Sequence, residues 1–307
     1  MQNIGIFGSD TMLGKAMVRH LSLQNNVTII PFSCQQLHSL PPLQLSDKIK
    51  SNKVKVVINA HNENYGLGHL KKEPVTMFMD GILNDIHFIP ACSNAGVEKY
   101  VNVLPNCIYP DKLPVPFIEE QIWQGLPEST VVPYSITKKI SLVQSEAYHN
   151  QYAFNSINLI VTAIYGPEDC FNPQTGQVIP SMIVKFDKLC KGEEGSVTLW
   201  GSGMATREFI YVDDAAKSIW DATLNYNKRE ALNLCSGNEV RIKDLALTIS
   251  HLFDYKGEII WDDTKPEGCM RKCLSNTKMN AHLSYRPETS LKEGLSQTIE
   301  WYKKNVC

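Results

Sequence analysis

Gly5-Ile6-Phe7-Gly8-Ser9-Asp10-Thr11-Met12-Leu13-Gly14 is the stretch that decides the fold. A short apolar strand at 4–7 runs through a glycine-bounded turn into an apolar helix at 12–24. Such a turn presents backbone N–H groups at a helix N-terminus, where the dipole favours a pyrophosphate and glycine lets it approach the backbone. Gly8 and Gly14 keep GxxGxxG spacing with Thr11 between them. Gly8, Ser9, Asp10, Thr11, Met12, Leu13 and Gly14 are therefore candidate dinucleotide-binding residues. An ordinary strand-to-helix turn would share much of this pattern.

Outward from the turn, short β-branched runs at 27–30, 54–59, 99–103 and 156–163 alternate with helix-like segments at 75–95 and 134–152. Short apolar strands separated by helices predict an α/β fold, a doubly wound parallel sheet covered on both faces. After the second strand the chain reads Pro31-Phe-Ser-Cys34-Gln-Gln36. It holds neither a carboxylate for a ribose 2′-hydroxyl nor an Arg for a 2′-phosphate, so these residues leave NAD and NADP open. Beyond Tyr165 the pattern changes. Gly166-Pro167, Asn172-Pro173 and the 192–195 stretch punctuate the chain, with helical segments at 180–190, 213–224, 242–253 and 291–303. The expected division is a dinucleotide-binding region over 1–165, with segments returning from the C-terminal half, and a smaller, mainly substrate-binding region over 166–307.

The 307 residues, 43% hydrophobic and 20% charged, are enough to bury a substantial core and exclude a disordered chain. Thirty basic against 32 acidic residues, without a Lys/Arg block, lack the electrostatic footprint of a nucleic-acid or anionic-membrane partner. The nine cysteines are scattered without a CxxC pair and read as reduced, mostly buried thiols. Cys269 and Cys273 stand four apart but lack two further spaced ligands, so no metal is expected. With no signal-peptide pattern and no apolar run near the ~20 residues that span a bilayer, a cytoplasmic location is expected.

The strongest local signal is Pro133-Tyr134-Ser-Ile-Thr-Lys138, a Tyr and a Lys at i, i+4 on one helix face. An ammonium beside a phenol favours phenolate, which suits Tyr134 to proton transfer at a carbonyl oxygen receiving hydride. A surface Tyr–Lys pair would look the same in isolation.

With these residues in view, the chain resembles the extended short-chain dehydrogenases/reductases, and among them the GDP-L-fucose synthase family. Asn106-Cys107-Ile-Tyr-Pro110 is similar to that family's SSCIYP loop, and Tyr134 to Lys138 to its YxxxK motif. Ile164-Tyr-Gly-Pro-Glu-Asp169 followed by Phe171 resembles LYGPxDNF, and Val178-Ile-Pro180 resembles HVIPA. Trp200-Gly-Ser-Gly203 and Arg207-Glu-Phe-Ile-Tyr-Val-Asp-Asp214 resemble WGxG and REFLHVDD, and Lys265-Pro-Glu-Gly268 with Arg271-Lys272 resembles KPDGxxRK. The resemblance implies a 3,5-epimerase/4-reductase of a GDP-linked 4-keto-6-deoxysugar, with NADP(H) favoured over NAD(H). It implies Tyr134 as proton donor and Lys138 as the group that holds the nicotinamide ribose and tunes Tyr134. It further places Asn59, Ala60, Thr162 and Ile164 with the cofactor, and Gln177, Lys185, Trp200, Ser202, Arg207 and Arg271 with the nucleotide-sugar. Core packing would equally account for Trp200, and a structural pairing with Asp213 or Asp214 for Arg207. A homodimer joined through the YxxxK helix and the helix before it is also implied.

The departures from the family limit the analogy. Pro105 stands where the family has a catalytic Ser, which leaves the adjacent Asn106 as the candidate to orient the carbonyl. Epimerisation in the family pairs a Cys base with a His acid, since inversion removes a proton on one face and returns it on the other. Cys107 is kept, but Gln177, which cannot titrate, replaces the His. Val161 and Ala163 stand where the family has Pro and Asn beside the nicotinamide. Three readings follow: a 4-ketoreductase of a keto-deoxysugar or keto-heptose with epimerisation lost or weakened, a full epimerase/reductase, or an attenuated protein that binds nucleotide-sugar or NADP(H).

Overall fold

The computed structural model describes residues 2–61, 72–172, 175–192, 195–265 and 268–307, so the punctuation expected near 173 and 193 lies partly outside them. Six parallel strands form the central sheet: β1 (Gln2–Phe7), β2 (Val27–Phe32), β3 (Val56–Asn59), β4 (Lys99–Pro105), β5 (Ser156–Val161) and β9 (Leu232–Leu234), in spatial order β2-β1-β3-β4-β5-β9. β1 lies between β2 and β3, with Ile4 opposite Ile29 and Val56. This is the expected doubly wound Rossmann sheet, and β9 reaches it from the C-terminal half.

Helices cover both faces because the strands are apolar on both. On one face α1 (Met12–Ser22) and α8 (Val212–Asn225) bury Met17, Leu21, Ala215 and Ile219 against Ile4, Ile6 and Ile58. On the other, α3 (Pro42–Ser51) and α5 (Phe88–Ala95) pack Ile49, Phe88 and Cys92 on Phe7 and Val57. The C-terminal end of α8 is held by Lys99. Its buried ammonium donates to the carbonyls of Thr223 and Tyr226 and to Asn227 Oδ1, at 2.6, 2.7 and 2.8 Å. Burial lowers Lys99 to about 8.

Where the described chain departs from the sequence expectation, local contacts explain it. The strand expected over 156–163 is two: after Val161 the chain leaves the central sheet, and β6 (Ala163–Tyr165) pairs with β8 (Thr206–Tyr211) in a second sheet. The helix expected over 75–95 is α4 (Pro74–Asp85) followed by α5, and the Ile86 carbonyl between them accepts from Gln144 Nε2 at 2.8 Å. Segment 34–51, which carried no expected helix, forms α2 (Cys34–Ser39), with a Ser33/Gln36 capping box, and α3, with Pro42 at its first position.

The second region adds α7 (Val178–Cys190), β7 (Val197–Trp200), β10 (Glu239–Arg241), α9 (Ile242–Leu252), β11 (Ile259–Asp262), β12 (Arg271–Lys272), α10 (Thr277–His282) and α11 (Leu291–Asn305). Its own core gathers Ile183, Phe186, Leu199, Ile249 and Leu295. No helix among the described residues is long and apolar enough to cross a membrane.

Asp169, after β6, is buried, and its Oδ1 accepts from the Cys170 amide at 2.7 Å. Burial pushes this carboxyl up to about 7. A raised acid favours the folded state while protonated, so its contribution is lost as pH climbs from the unfolded value toward 7. Thermal melts of Asp169→Asn should match the parent near pH 4 and show a growing stability advantage, of order a few kcal/mol, by pH 8.

Candidate active site

The turn from β1 to α1 is shaped by close backbone approach. Gly8 has φ +70°, and a Cβ there would stand 2.7 Å from the His61 Cα. A Cβ on Gly14 would stand 1.9 Å from the Gly8 carbonyl oxygen. Thr11, where a glycine was the pattern residue, is the N-cap of α1: its Oγ1 accepts from Gly14 N at 3.0 Å and lies 2.8 Å from the Gly8 carbonyl and 3.1 Å from that of Ala60. The N–H groups of Met12 and Leu13 lead the helix without intrahelical acceptors, while their side chains sit in the core. Such a cradle fits a dinucleotide diphosphate. Ser9 is half-buried in the turn. Asp10 turns away, and its carboxylate accepts from the Cys34 amide at 2.7 Å. Asn59 is buried and accepts from the His61 amide at 3.2 Å.

The Tyr–Lys pair lies on α6 (Val132–Tyr152), whose first turn lies against the turn that follows β4. It is not a surface pair. Tyr134 and Lys138 are buried, with the ammonium 5.4 Å from the Tyr134 ring centroid. Half-buried Cys107, in the turn after β4, packs against Tyr134, Met77 and Val131. Burial raises its thiol, against opposing contributions from Lys272, Ser135 and Lys138. Ser135 Oγ donates to the Cys107 carbonyl at 3.0 Å, so this hydroxyl is engaged with backbone. Asn106 Nδ2 lies 3.5 Å from Thr162 Oγ1, which donates to the Glu208 carbonyl at 2.8 Å. Ile164 follows in β6 and packs on the sheet core.

Sequence reading missed the residues behind Lys138. Its Nζ is 2.5 Å from Oδ2 of buried Asp85 on α4. Asp85 Oδ1 faces His61 Nδ1 at 3.7 Å, and His61 Nε2 is 2.9 Å from Nε2 of His38 on α2. Although burial alone would raise Asp85, Lys138 and His61 hold it below the usual carboxylate range. α4 comes close enough for this contact because of Gly81, where a Cβ would be 2.5 Å from Thr137 Oγ1 of α6. The signals in sequence were two aspartates, Asp80 and Asp85, on a mostly apolar helix, and a His after the third strand.

The residues implied for the nucleotide-sugar are spread over the second region. Gln177 precedes α7, and Lys185 donates to the Thr198 carbonyl at 2.8 Å. Trp200 ends β7 with about half its surface exposed (51%), which sets aside core packing. Ser202 Oγ accepts from the Met204 amide at 3.1 Å. Arg207 donates to the Thr206 carbonyl at 2.7 Å, while Asp213 pairs with Arg19 and Asp214 with the Tyr285 hydroxyl. Arg271 is in a bidentate pair with Glu239, at 2.8 Å for both guanidinium nitrogens, rather than presenting an open fork to an anion.

A parallel sheet, a glycine-bounded diphosphate cradle at its carboxyl edge and a buried Tyr–Lys pair define a dinucleotide-binding oxidoreductase of the Rossmann class. The chain belongs to the NAD dependent epimerase/dehydratase family, whose pattern matches residues 4–235. It is 31% identical over 303 residues to a putative GDP-L-fucose synthase 2 of Arabidopsis thaliana, covering 99% of this chain and 92% of that one. Among solved structures it aligns with a GDP-6-OMe-4-keto-L-xylo-heptose reductase from C. jejuni at TM-score 0.90 and 22% identity, covering 99% and 98% of the two chains. A GDP-L-fucose synthetase from Naegleria fowleri bound to NADP aligns at TM-score 0.88 and 24% identity, covering 99% and 95%. At these identities the two structures establish a shared fold.

Thr11→Ala should cost about 1 kcal/mol in a denaturant melt, through the lost cap. Gly14→Ala should weaken dinucleotide binding by about tenfold or more in a fluorescence titration, because the cradle has no room for a methyl group.

Proposed function

We propose that the protein is an NADP(H)-dependent 4-ketoreductase of a GDP-linked keto-deoxysugar or keto-heptose, with epimerisation lost or weakened. The carrying observation is the buried Tyr134–Lys138 pair beside Cys107 at the carboxyl edge of the sheet. When bound, the reduced nicotinamide supplies the hydride. Tyr134 supplies the proton to the carbonyl oxygen, and Asn106, adjacent to Thr162, takes over the orienting role left open by Pro105. Lys138 has three N–H donors, of which Asp85 takes one, so the others remain for ribose hydroxyls. The NADP choice rests on the cofactor bound to the Naegleria relative and the GDP-sugar substrate on the relatives' names.

Two observations support the loss of epimerisation. Burial raises the Cys107 thiol, which disfavours the thiolate a base requires, and Gln177 cannot act as an acid. NADPH oxidation with GDP-4-keto-6-deoxymannose, run in deuterated water with and without a separate 3,5-epimerase, tests the reading. Oxidation without deuterium at C3 or C5 is the expected result; deuterium there would return Cys107 to catalysis and favour the full epimerase/reductase. Tyr134→Phe should lower turnover by roughly 10²–10⁴ while leaving NADPH binding intact.

We also propose that the protein is a homodimer joined through α4 and α6. Val75, Met79, Leu83 and Ile86 form an exposed apolar stripe on and just after α4, and Val143 is exposed on α6. Light scattering should give a dimer mass, and Met79→Glu with Leu83→Glu should convert it to monomer.

A further inference from the structure

Asp85, His61 and His38 lie outside the Tyr–Lys pair, yet they end on it. Among the described residues, buried His61 Nδ1 and Asp85 Oδ1 each lack a hydrogen-bond partner and face one another at 3.7 Å, slightly beyond hydrogen-bond reach. The other nitrogen of His61 meets His38 Nε2 at 2.9 Å, so one of the two rings must donate. If His61 donated there, its bare Nδ1 lone pair would point at a carboxylate oxygen inside the protein. The favourable arrangement has His38 Nε2–H donating to His61 Nε2 and His61 Nδ1–H aimed at Asp85. The edges of Phe88 and His38 wall the His61 ring at centroid distances of 5.5 and 5.1 Å, which fixes its direction.

We propose that Asp85 and His61 are positioning residues of the reductase: Asp85 clamps the Lys138 ammonium in a buried ion pair, His61 aims Asp85, and Tyr134 thereby stays a protonated phenol ready to act as acid. An unpaired ammonium beside Tyr134 would favour phenolate, the form that takes a proton from an alcohol. Pairing it with a carboxylate 2.5 Å away cancels much of that field. The device biases the pair toward carbonyl reduction. Among the described residues, the ionisable groups around it are Asp85 on α4, His61 after β3, His38 on α2, Tyr100 of β4 near Asp85, and Cys107, on which Lys272 of β12 acts electrostatically. Asp10, in the turn before α1, is close enough to His61 to be influenced by it.

This inference rests on the reductive reading of the same site, and its first test needs no substrate. Tyrosinate absorbance is titrated in the full-length protein and in Asp85→Asn, each with and without Tyr134→Phe, so that the difference isolates Tyr134. Ionisation of Tyr134 is expected at a pH lower by about one unit or more in Asp85→Asn, with Asp85→Glu restoring the parent curve. An unchanged or upward shift overturns the proposal. His61→Gln, and more weakly the exposed His38→Gln, should move the curve in the same direction; these variants decide the matter if Asp85→Asn does not fold. Ring ¹⁵N shifts should find His61 protonated at Nδ1, and the opposite tautomer would also overturn it. In turnover, the basic limb of the kcat profile should move down with the tyrosinate curve. Absence of turnover in the parent protein would remove the reductase reading while leaving the titration result standing.

Discussion

A buried ion pair between two helices holds the site together. Lys138 of α6 and Asp85 of α4 lie between the helices, shielded from solvent and 2.5 Å apart, where α4 approaches α6 closely at Gly81 and Thr137. Breaking one partner would leave an uncompensated buried charge, which costs far more than a surface ion pair returns. The pair thus fixes how α4 sits on α6. The direction of α6 in turn sets Tyr134 against Cys107 at the edge of the sheet.

The parallel sheet gives that pair its setting. Because β1, β3, β4 and β5 all run the same way, their carboxyl ends open onto one crevice. The glycine turn after β1, His61 after β3, Asn106 and Cys107 after β4, and Thr162 after β5 are all brought to that edge. The switch at Thr162, whose amide donates to the Leu234 carbonyl and whose hydroxyl donates to the Glu208 carbonyl, joins the central sheet to the second region. Backbone from both halves of the chain thus meets beside Thr162 at that edge.

Two positions where the sequence departs from the patterns it resembles keep the local backbone of that scaffold. Pro105 occupies the last position of β4 opposite Val161, where an extended backbone suits a proline ring. Thr11 occupies the position of a fingerprint glycine without opening the turn, because its hydroxyl caps the helix that glycine would have left uncapped. The fold accommodates a proline at the first position and a threonine at the second.

Much of the architecture and part of the site were legible in sequence. The strand–turn–helix at 4–14, the alternation of apolar strands with helices, and Tyr134 and Lys138 at i, i+4 are local patterns, fixed by backbone sterics and side-chain period. The helices at 34–51 were not legible, since a short polar run entering Pro41-Pro42 reads as loop until Ser33 and Gln36 close their capping box. Nor was the partnership of Lys138. Asp85 is 53 residues from it along the chain, and His61 and His38 come from still other elements. Only burial made these contacts obligatory: once packing removes water from an ammonium, a carboxylate and an imidazole, each must find its partner inside the protein, and tertiary structure alone decides which one is near.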